Sequence, residues 1–80
     1  MIDDTIWSIQ KEIMKRHGVD AAYRETAPIE WYIITGRASA EFLRLLKSAR
    51  PLLIARDCHK GGSYEEVINR VCKRLGYERR

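Results

Sequence analysis

Asp57, Cys58 and His59 form the one compact cluster of residue types that bind metal ions or act as nucleophile and base. A carboxylate, a thiolate and an imidazole are all zinc ligands, and a cysteine beside a histidine can attack a carbonyl. Three adjacent residues do not point at one centre on a helix or strand, and no C-x-x-C or H-x-x-x-H spacing occurs. We therefore predict a polar loop with one buried cysteine here. The chain is predicted to have no metal ligands, cofactor or catalytic residues, which favours a non-enzyme.

A second candidate site begins at Lys60 and runs to Ser63, just before a predicted helix. Free backbone amides at such a position can bind an anion. However, Glu65 and Glu66 follow directly, and their charges complement the positive helix end and repel phosphate. Ser63 and Glu66 also have the S-x-x-E spacing of a capping box. The pattern favours a helix cap over an anion site.

Basic side chains are concentrated in the second part of the chain. Residues 37–80 hold eleven basic and five acidic side chains, whereas residues 1–36 hold four and six. This asymmetry is typical of a basic face that attracts phosphate backbones or an acidic partner, although charges also keep helix exteriors soluble. The basic residues nearest the centre of the chain are Arg37, Arg44, Lys47, Arg50 and Arg56.

The first of the elements that would position these residues is a helix. Ile2, Ile6, Ile9 and Ile13 recur at helical spacing, and Gly18 suits the end of this helix. Residues 29–35 are rich in β-branched and aromatic residues and alternate between two faces, which favours a strand. One face holds Ile29, Trp31, Ile33 and Thr35, and the other holds Glu30, Tyr32 and Ile34. With a weaker alternation over residues 21–24, this predicts a β-hairpin.

The remaining elements are predicted to be helical. One helix begins at about Ser39 and ends before Pro51, since proline blocks its continuation. Residues 52–55 fit either a helical turn or a short buried strand, because periodicity does not separate the two. The last helix begins at Ser63 and ends at Gly76. The expected fold is a small α+β domain over residues 1–80, with order α-β-β-α-α, two C-terminal helices on one face of a central hairpin, and a frayed tail at 76–80.

Residues 31–56 resemble the later half of a LAGLIDADG homing-endonuclease subdomain. In that family a strand of the form W-x-I-T-G-R leads into a helix carrying F-L, then a proline, two apolar residues and a basic residue. The matching positions are Trp31, Ile34-Thr35-Gly36-Arg37, Phe42-Leu43, Pro51-Leu52-Leu53 and Arg56. The motif helix with its acidic metal ligand has no counterpart in the sequence. The resemblance therefore implies a half-sheet with covering helices and no nuclease site.

Two hypotheses of function follow from these patterns. The first is a non-catalytic nucleic-acid-associated domain, with a salt-sensitive interface formed by Arg37, Arg44, Lys47, Arg50 and Tyr32. The alternative is a homodimeric protein-interaction module that pairs through its β-hairpin. A hydrolytic enzyme ranks third. The acidic start of the chain and the short apolar runs predict a cytoplasmic protein with reduced thiols and no membrane association.

Overall fold

The structure, a computed structural model, describes residues 4–79 and contains five α-helices. They are α1 (Asp4–His17), α2 (Val19–Ile34), α3 (Ala40–Ser48), α4 (Pro51–His59) and α5 (Tyr64–Leu75). Among the described residues there is no β-strand, so the predicted α+β fold with a central hairpin is wrong. The element order is α-α-α-α-α.

The helices with clear end signals lie where the sequence predicts them. α1 ends at His17, and Gly18 follows with a φ of 93°; Ile2 and Asp3, which the pattern assigned to the same helix, lie outside the described residues. The Ser39 side chain accepts a hydrogen bond from the Phe42 amide at the start of α3. At the start of α5, both hydrogen bonds of the predicted capping box are present, at 3.1 and 2.7 Å.

The hairpin prediction fails because burial in α2 follows a helical period. Ala22, Thr26 and Ile29 recur at steps of four and three and are all fully buried. Tyr32, which the alternation places opposite Ile29, is buried with it, whereas Ile34 is 73% exposed. β-branched and aromatic residues do form helices when tertiary contacts bury one side of them. The local alternation was therefore coincidental.

Residues 35–37 end α2 and do not end a strand. Gly36 has a φ of 79°, its amide donates to the Ile33 carbonyl at 3.0 Å, and the Arg37 amide donates to the Tyr32 carbonyl at 3.1 Å. These two hydrogen bonds with a left-handed glycine are a Schellman motif. The Thr35-Gly36-Arg37 sequence, which the family resemblance places at the end of a strand, is thus a helix cap.

Pro51 resolves the choice that periodicity left open for residues 52–55. It lies in the first turn of α4, where its missing amide has no helical partner to lose and its fixed φ suits a helix. Residues 52–55 are therefore helical, and the helix continues to His59.

The helices pack around one hydrophobic core. α1 packs against α2 and α4, α2 also packs against α4 and α5, and α5 packs against α3 and α4. Ile9 and Ile13 of α1 and Phe42 of α3 are almost fully buried in it. The tail after α5 folds back, since the Tyr77 hydroxyl lies 2.8 Å from Ser39 Oγ. Arg79 also donates a hydrogen bond to Glu65 at 2.8 Å, so Tyr77 and Arg79 both contact the domain, although a frayed tail was expected over 76–80.

Candidate nucleic-acid interface

Residues 42–62 carry five basic side chains and a single acid, Asp57. Asp57 points into the protein and is 1% exposed. Its two carboxylate oxygens accept hydrogen bonds from Arg74 Nε and Nη2 at 2.9 and 3.1 Å. This segment therefore presents no acidic side chain to solvent. We call its five exposed cations the α3–α4 basic face: Arg44, Lys47, Arg50, Arg56 and Lys60.

Of the nine other cations in residues 4–79, five lie within 4 Å of a carboxylate, and four do not: Lys11, Arg37, Arg70 and Lys73. Lys15 and Arg16 share Glu12 at 3.3 and 3.2 Å, and the hydrogen bonds from these two side chains lower the pKa of that carboxyl. Arg79 pairs with Glu65 at 2.8 Å. On the α3–α4 basic face, by contrast, Arg44 approaches Glu41 at 3.9 Å. Within residues 4–79, no carboxylate lies within 4 Å of the other four cations, Lys47, Arg50, Arg56 and Lys60.

A groove runs along the seam between α1 and α4, which lie side by side in the same direction. One opening, of about 240 Å³, lies between the starts of the two helices and is lined by Asp4 as well as Lys47. The second, of about 270 Å³, lies between their ends and is lined by Glu12 as well as by Arg16, Leu52, Arg56 and Lys60. Three of the five cations of the α3–α4 basic face thus border this groove, which we call the α1–α4 groove.

Two histidines lie at the far end of the α1–α4 groove. The rings of His17 and His59 stack with centroids 3.7 Å apart and planes 5° from parallel. His59 Nδ1 is 3.0 Å from both carboxylate oxygens of Glu25. Because Glu25 faces Nδ1, Nε2 is the ring nitrogen left for another partner. The pair gives this end of the α1–α4 groove a stacked aromatic surface.

The remaining sequence-predicted contacts lie elsewhere. Arg37 is exposed, and its guanidinium lies 4.9 Å above the ring of Trp31, which in turn packs 5.6 Å from Tyr64. Tyr32 is 3% exposed and packs edge-on against Phe42, with ring centroids 5.0 Å apart. A buried ring is not available to stack on a base, so we drop Tyr32 from the interface. Arg44, Lys47 and Arg50 stay together on the α3–α4 basic face.

The sequence patterns did not assign Lys60 to the interface, and they did not bring His17, His59 and Glu25 together. Leu52, Arg56 and Lys60 are four residues apart and share one side of α4, but this spacing has meaning only once residues 52–55 are known to be helical. The contact of His17 and Glu25 with His59 joins residues far apart in the chain. No local pattern signals it.

No group of three His, Cys, Asp or Glu side chains in residues 4–79 is placed to hold a metal ion. Of the compact cluster at residues 57–59, Asp57 is bound to Arg74, Cys58 is buried and His59 faces Glu25. The three side chains thus diverge, but residues 57–59 are the last turn of α4 and not the predicted polar loop. Neither cysteine in the described chain is in a disulfide.

Cys58 is expected to be inert in the folded protein. Burial, reinforced by the nearby charges of Asp57 and Glu25, raises the pKa of the Cys58 thiol to about 12. Since the thiolate is the reactive form, its reaction with a disulfide reagent near pH 8 should be about 1,000-fold slower than that of an exposed cysteine. Stopped-flow thiol titration measures this rate, and the same titration in denaturant should show both thiols reacting fast. A fast Cys58 in native protein would contradict its burial.

No protein-family model, curated protein or solved structure matches the chain. None of the helices in residues 4–79 is long and apolar enough to cross a membrane.

Proposed function

We propose that the protein binds nucleic acid through the α3–α4 basic face and acts as a binding domain without cleavage chemistry. One observation carries the proposal: Lys47, Arg50, Arg56 and Lys60 have no carboxylate within 4 Å in residues 4–79, and the only acid of their segment is buried against Arg74. Four cations without a carboxylate partner, all within residues 47–60, create a local positive potential that surface ion pairs would otherwise cancel.

Phosphate recognition requires long basic side chains at the surface and little special geometry. The cations of the α3–α4 basic face are exposed, and Arg56 and Lys60 lie four residues apart beside the α1–α4 groove. Cations in such an arrangement contact the phosphate backbone of a nucleic acid and not the edges of its bases. We therefore propose that binding does not depend on the base sequence of the nucleic acid. The spacing of its phosphates determines which nucleic acid is bound.

Neither the family resemblance nor the β-hairpin supports this proposal. The strand that the resemblance implies for residues 31–36 is the last turn and cap of α2. The alternative function, a homodimer that pairs through a hairpin, is withdrawn because the described chain has no hairpin to pair. We place the protein in the cytoplasm, where free thiols such as Cys58 and Cys72 stay reduced.

Neutralising α4 should weaken binding far more than neutralising other helices. In Arg56→Gln/Lys60→Gln, we expect each lost phosphate contact to reduce affinity roughly 8-fold at about 0.1 M salt, or roughly 60-fold in total. The matched control, Lys11→Gln/Lys73→Gln, removes the same charge from exposed positions of α1 and α5. Its affinity should fall less than about 3-fold, since only the general field changes.

Fluorescence anisotropy with a labelled DNA duplex and a single-stranded RNA of equal length measures both variants. A selective loss in the α4 variant on either ligand supports the proposal and identifies the preferred nucleic acid. Equal losses in the two variants would show that binding follows net charge alone. In that case the α3–α4 basic face is not the site.

A further inference from the structure

The far end of the α1–α4 groove combines apolar lining with a net positive charge. This opening of about 270 Å³ has Ile13, Leu52 and Ala55 among its lining residues. Three cations and one carboxylate line it as well, so its net charge is +2 with neutral histidines. The carboxylate is Glu12, which already pairs with two cations at 3.2 and 3.3 Å. The far end is therefore an apolar pocket that favours an anionic ligand.

Two aromatic rings also line this pocket. They are the imidazoles of His17 and His59, which stack on each other with centroids 3.7 Å apart. His17 is exposed, and the His59 side chain is 48% exposed even though the other ring covers one of its faces. The pair therefore presents aromatic surface to a ligand in the pocket.

A nucleotide has the chemistry that this pocket complements. Its base is a flat aromatic ring, and bases in protein complexes stack on aromatic side chains, histidine included. Its phosphate is an anion, and Arg56 and Lys60 at the same pocket have no carboxylate within 4 Å in residues 4–79. A ligand that brought phosphates alone would leave the apolar lining and the two rings without a partner.

The size of the pocket favours a single strand over a duplex. About 270 Å³ is close to the roughly 300 Å³ at which small-molecule sites begin, which is room for one ring system and not for a base pair held in a stack. In a duplex both faces of each base are covered by its neighbours. In a single strand the bases turn out of the stack and are free to contact protein.

We propose that the far end of the α1–α4 groove binds one base of a single-stranded nucleic acid against the His17–His59 pair, while Arg56 and Lys60 contact the adjoining phosphates. This inference rests on the proposed nucleic-acid binding and adds to it the class of ligand. Stacking tolerates any base, because every base has an aromatic face. The inference is thus consistent with binding that does not depend on base sequence.

An abasic strand separates base binding from phosphate binding. Fluorescence anisotropy compares a labelled all-thymidine DNA strand with a strand of the same length in which every base is missing, so that both carry the same phosphates. Wild type should bind the thymidine strand about 10-fold more tightly, which is the lower end of the effect of stacking one base.

His17→Ala should reduce this preference to less than about 3-fold and leave affinity for the abasic strand nearly unchanged, because it removes a ring and no phosphate contact. The abasic strand also controls for any change of charge at this position. The matched control is Tyr23→Ala, which removes an aromatic ring that is 55% exposed on α2 and does not line the pocket. Tyr23→Ala should keep the full preference. Circular dichroism verifies that both variants stay helical.

The possible failures are distinguishable. Equal affinity of wild type for the two strands would overturn base binding, while phosphate binding by the α3–α4 basic face would stand. Binding of neither strand would contradict the proposed function and this inference together. A preference that survives in His17→Ala, or that is lost equally in Tyr23→Ala, would show that the base is bound elsewhere and would overturn the assignment of this pocket.

Discussion

Replacing Arg74 with glutamine is expected to lower the free energy of unfolding, because it leaves the buried Asp57 carboxylate without its cation. Arg74 provides both hydrogen bonds to the carboxylate of Asp57, which is 1% exposed. The same contact raises the pKa of the Arg74 guanidinium. Without Arg74, the Asp57 carboxylate stays buried with no cation bound to it. Arg70 does not bind the Asp57 carboxylate in its place, because the Arg70 guanidinium donates hydrogen bonds to the main-chain carbonyls of Asp57 and Gly61.

The total stability of a domain of 80 residues is only about 4 to 12 kcal/mol. A buried carboxylate left without its cation should therefore lower the midpoint of thermal unfolding measurably. Thermal melts followed by circular dichroism measure the change. Lys73→Gln, the neighbouring exposed cation on the same helix, should stay within about 0.5 kcal/mol of wild type.

The double variant Asp57→Asn/Arg74→Gln distinguishes two causes of lost stability, the unpaired buried charge and the lost hydrogen bonds. With no charge left in the core, it should be at least as stable as Arg74→Gln alone. If Arg74→Gln instead unfolds at the same midpoint temperature as wild type, the ion pair does not stabilise the packing of α4 on α5. The inward direction of Asp57, on which the α3–α4 basic face depends, would then lose its explanation.

Local signals predicted three helices of this fold well. α1, α3 and α5 each combine an apolar stripe with an end signal, such as Gly18, the Ser39 cap or the Ser63 capping box, and each lies where those signals place it. These signals arise from hydrogen bonds within one turn of the chain. For that reason they can be read without knowledge of the neighbouring elements.

α2 could not be predicted from the sequence, for the opposite reason. Residues 29–35 have the composition of a strand, and Pro28 has no amide to donate inside a helix. The helix forms nevertheless, because Ala22, Ile29 and Tyr32 are buried against the other helices. That burial is a property of the whole domain. The period of buried residues, not local alternation, decides the structure here.

The candidate interface was only partly predictable for related reasons. Counting charges along the sequence identified Arg44, Lys47 and Arg50, because an excess of basic residues can be recognised without the structure. It also found Arg37, which in the structure lies over Trp31. Lys60 joins Arg56 only because α4 continues to His59. The inward direction of Asp57, which leaves the face free of acid, depends on a contact with Arg74, seventeen residues later.

Raising the salt concentration should weaken nucleic-acid binding steeply. Four phosphate contacts, one for each of Lys47, Arg50, Arg56 and Lys60, give a slope of about −3.6 in a plot of log affinity against log salt for a DNA duplex. Between about 50 and 200 mM salt the affinity should therefore fall roughly 100-fold. This large effect follows because each contact releases counterions from the nucleic acid.

The most direct test of nucleic-acid binding by the α3–α4 basic face is this slope, measured by anisotropy for wild type and for Arg56→Gln/Lys60→Gln. We predict a slope of about −3.6 for wild type and about −1.8 for the variant, since two of the four contacts are gone. Affinity that does not change with salt, or a variant slope equal to that of wild type, would contradict phosphate binding by the α3–α4 basic face.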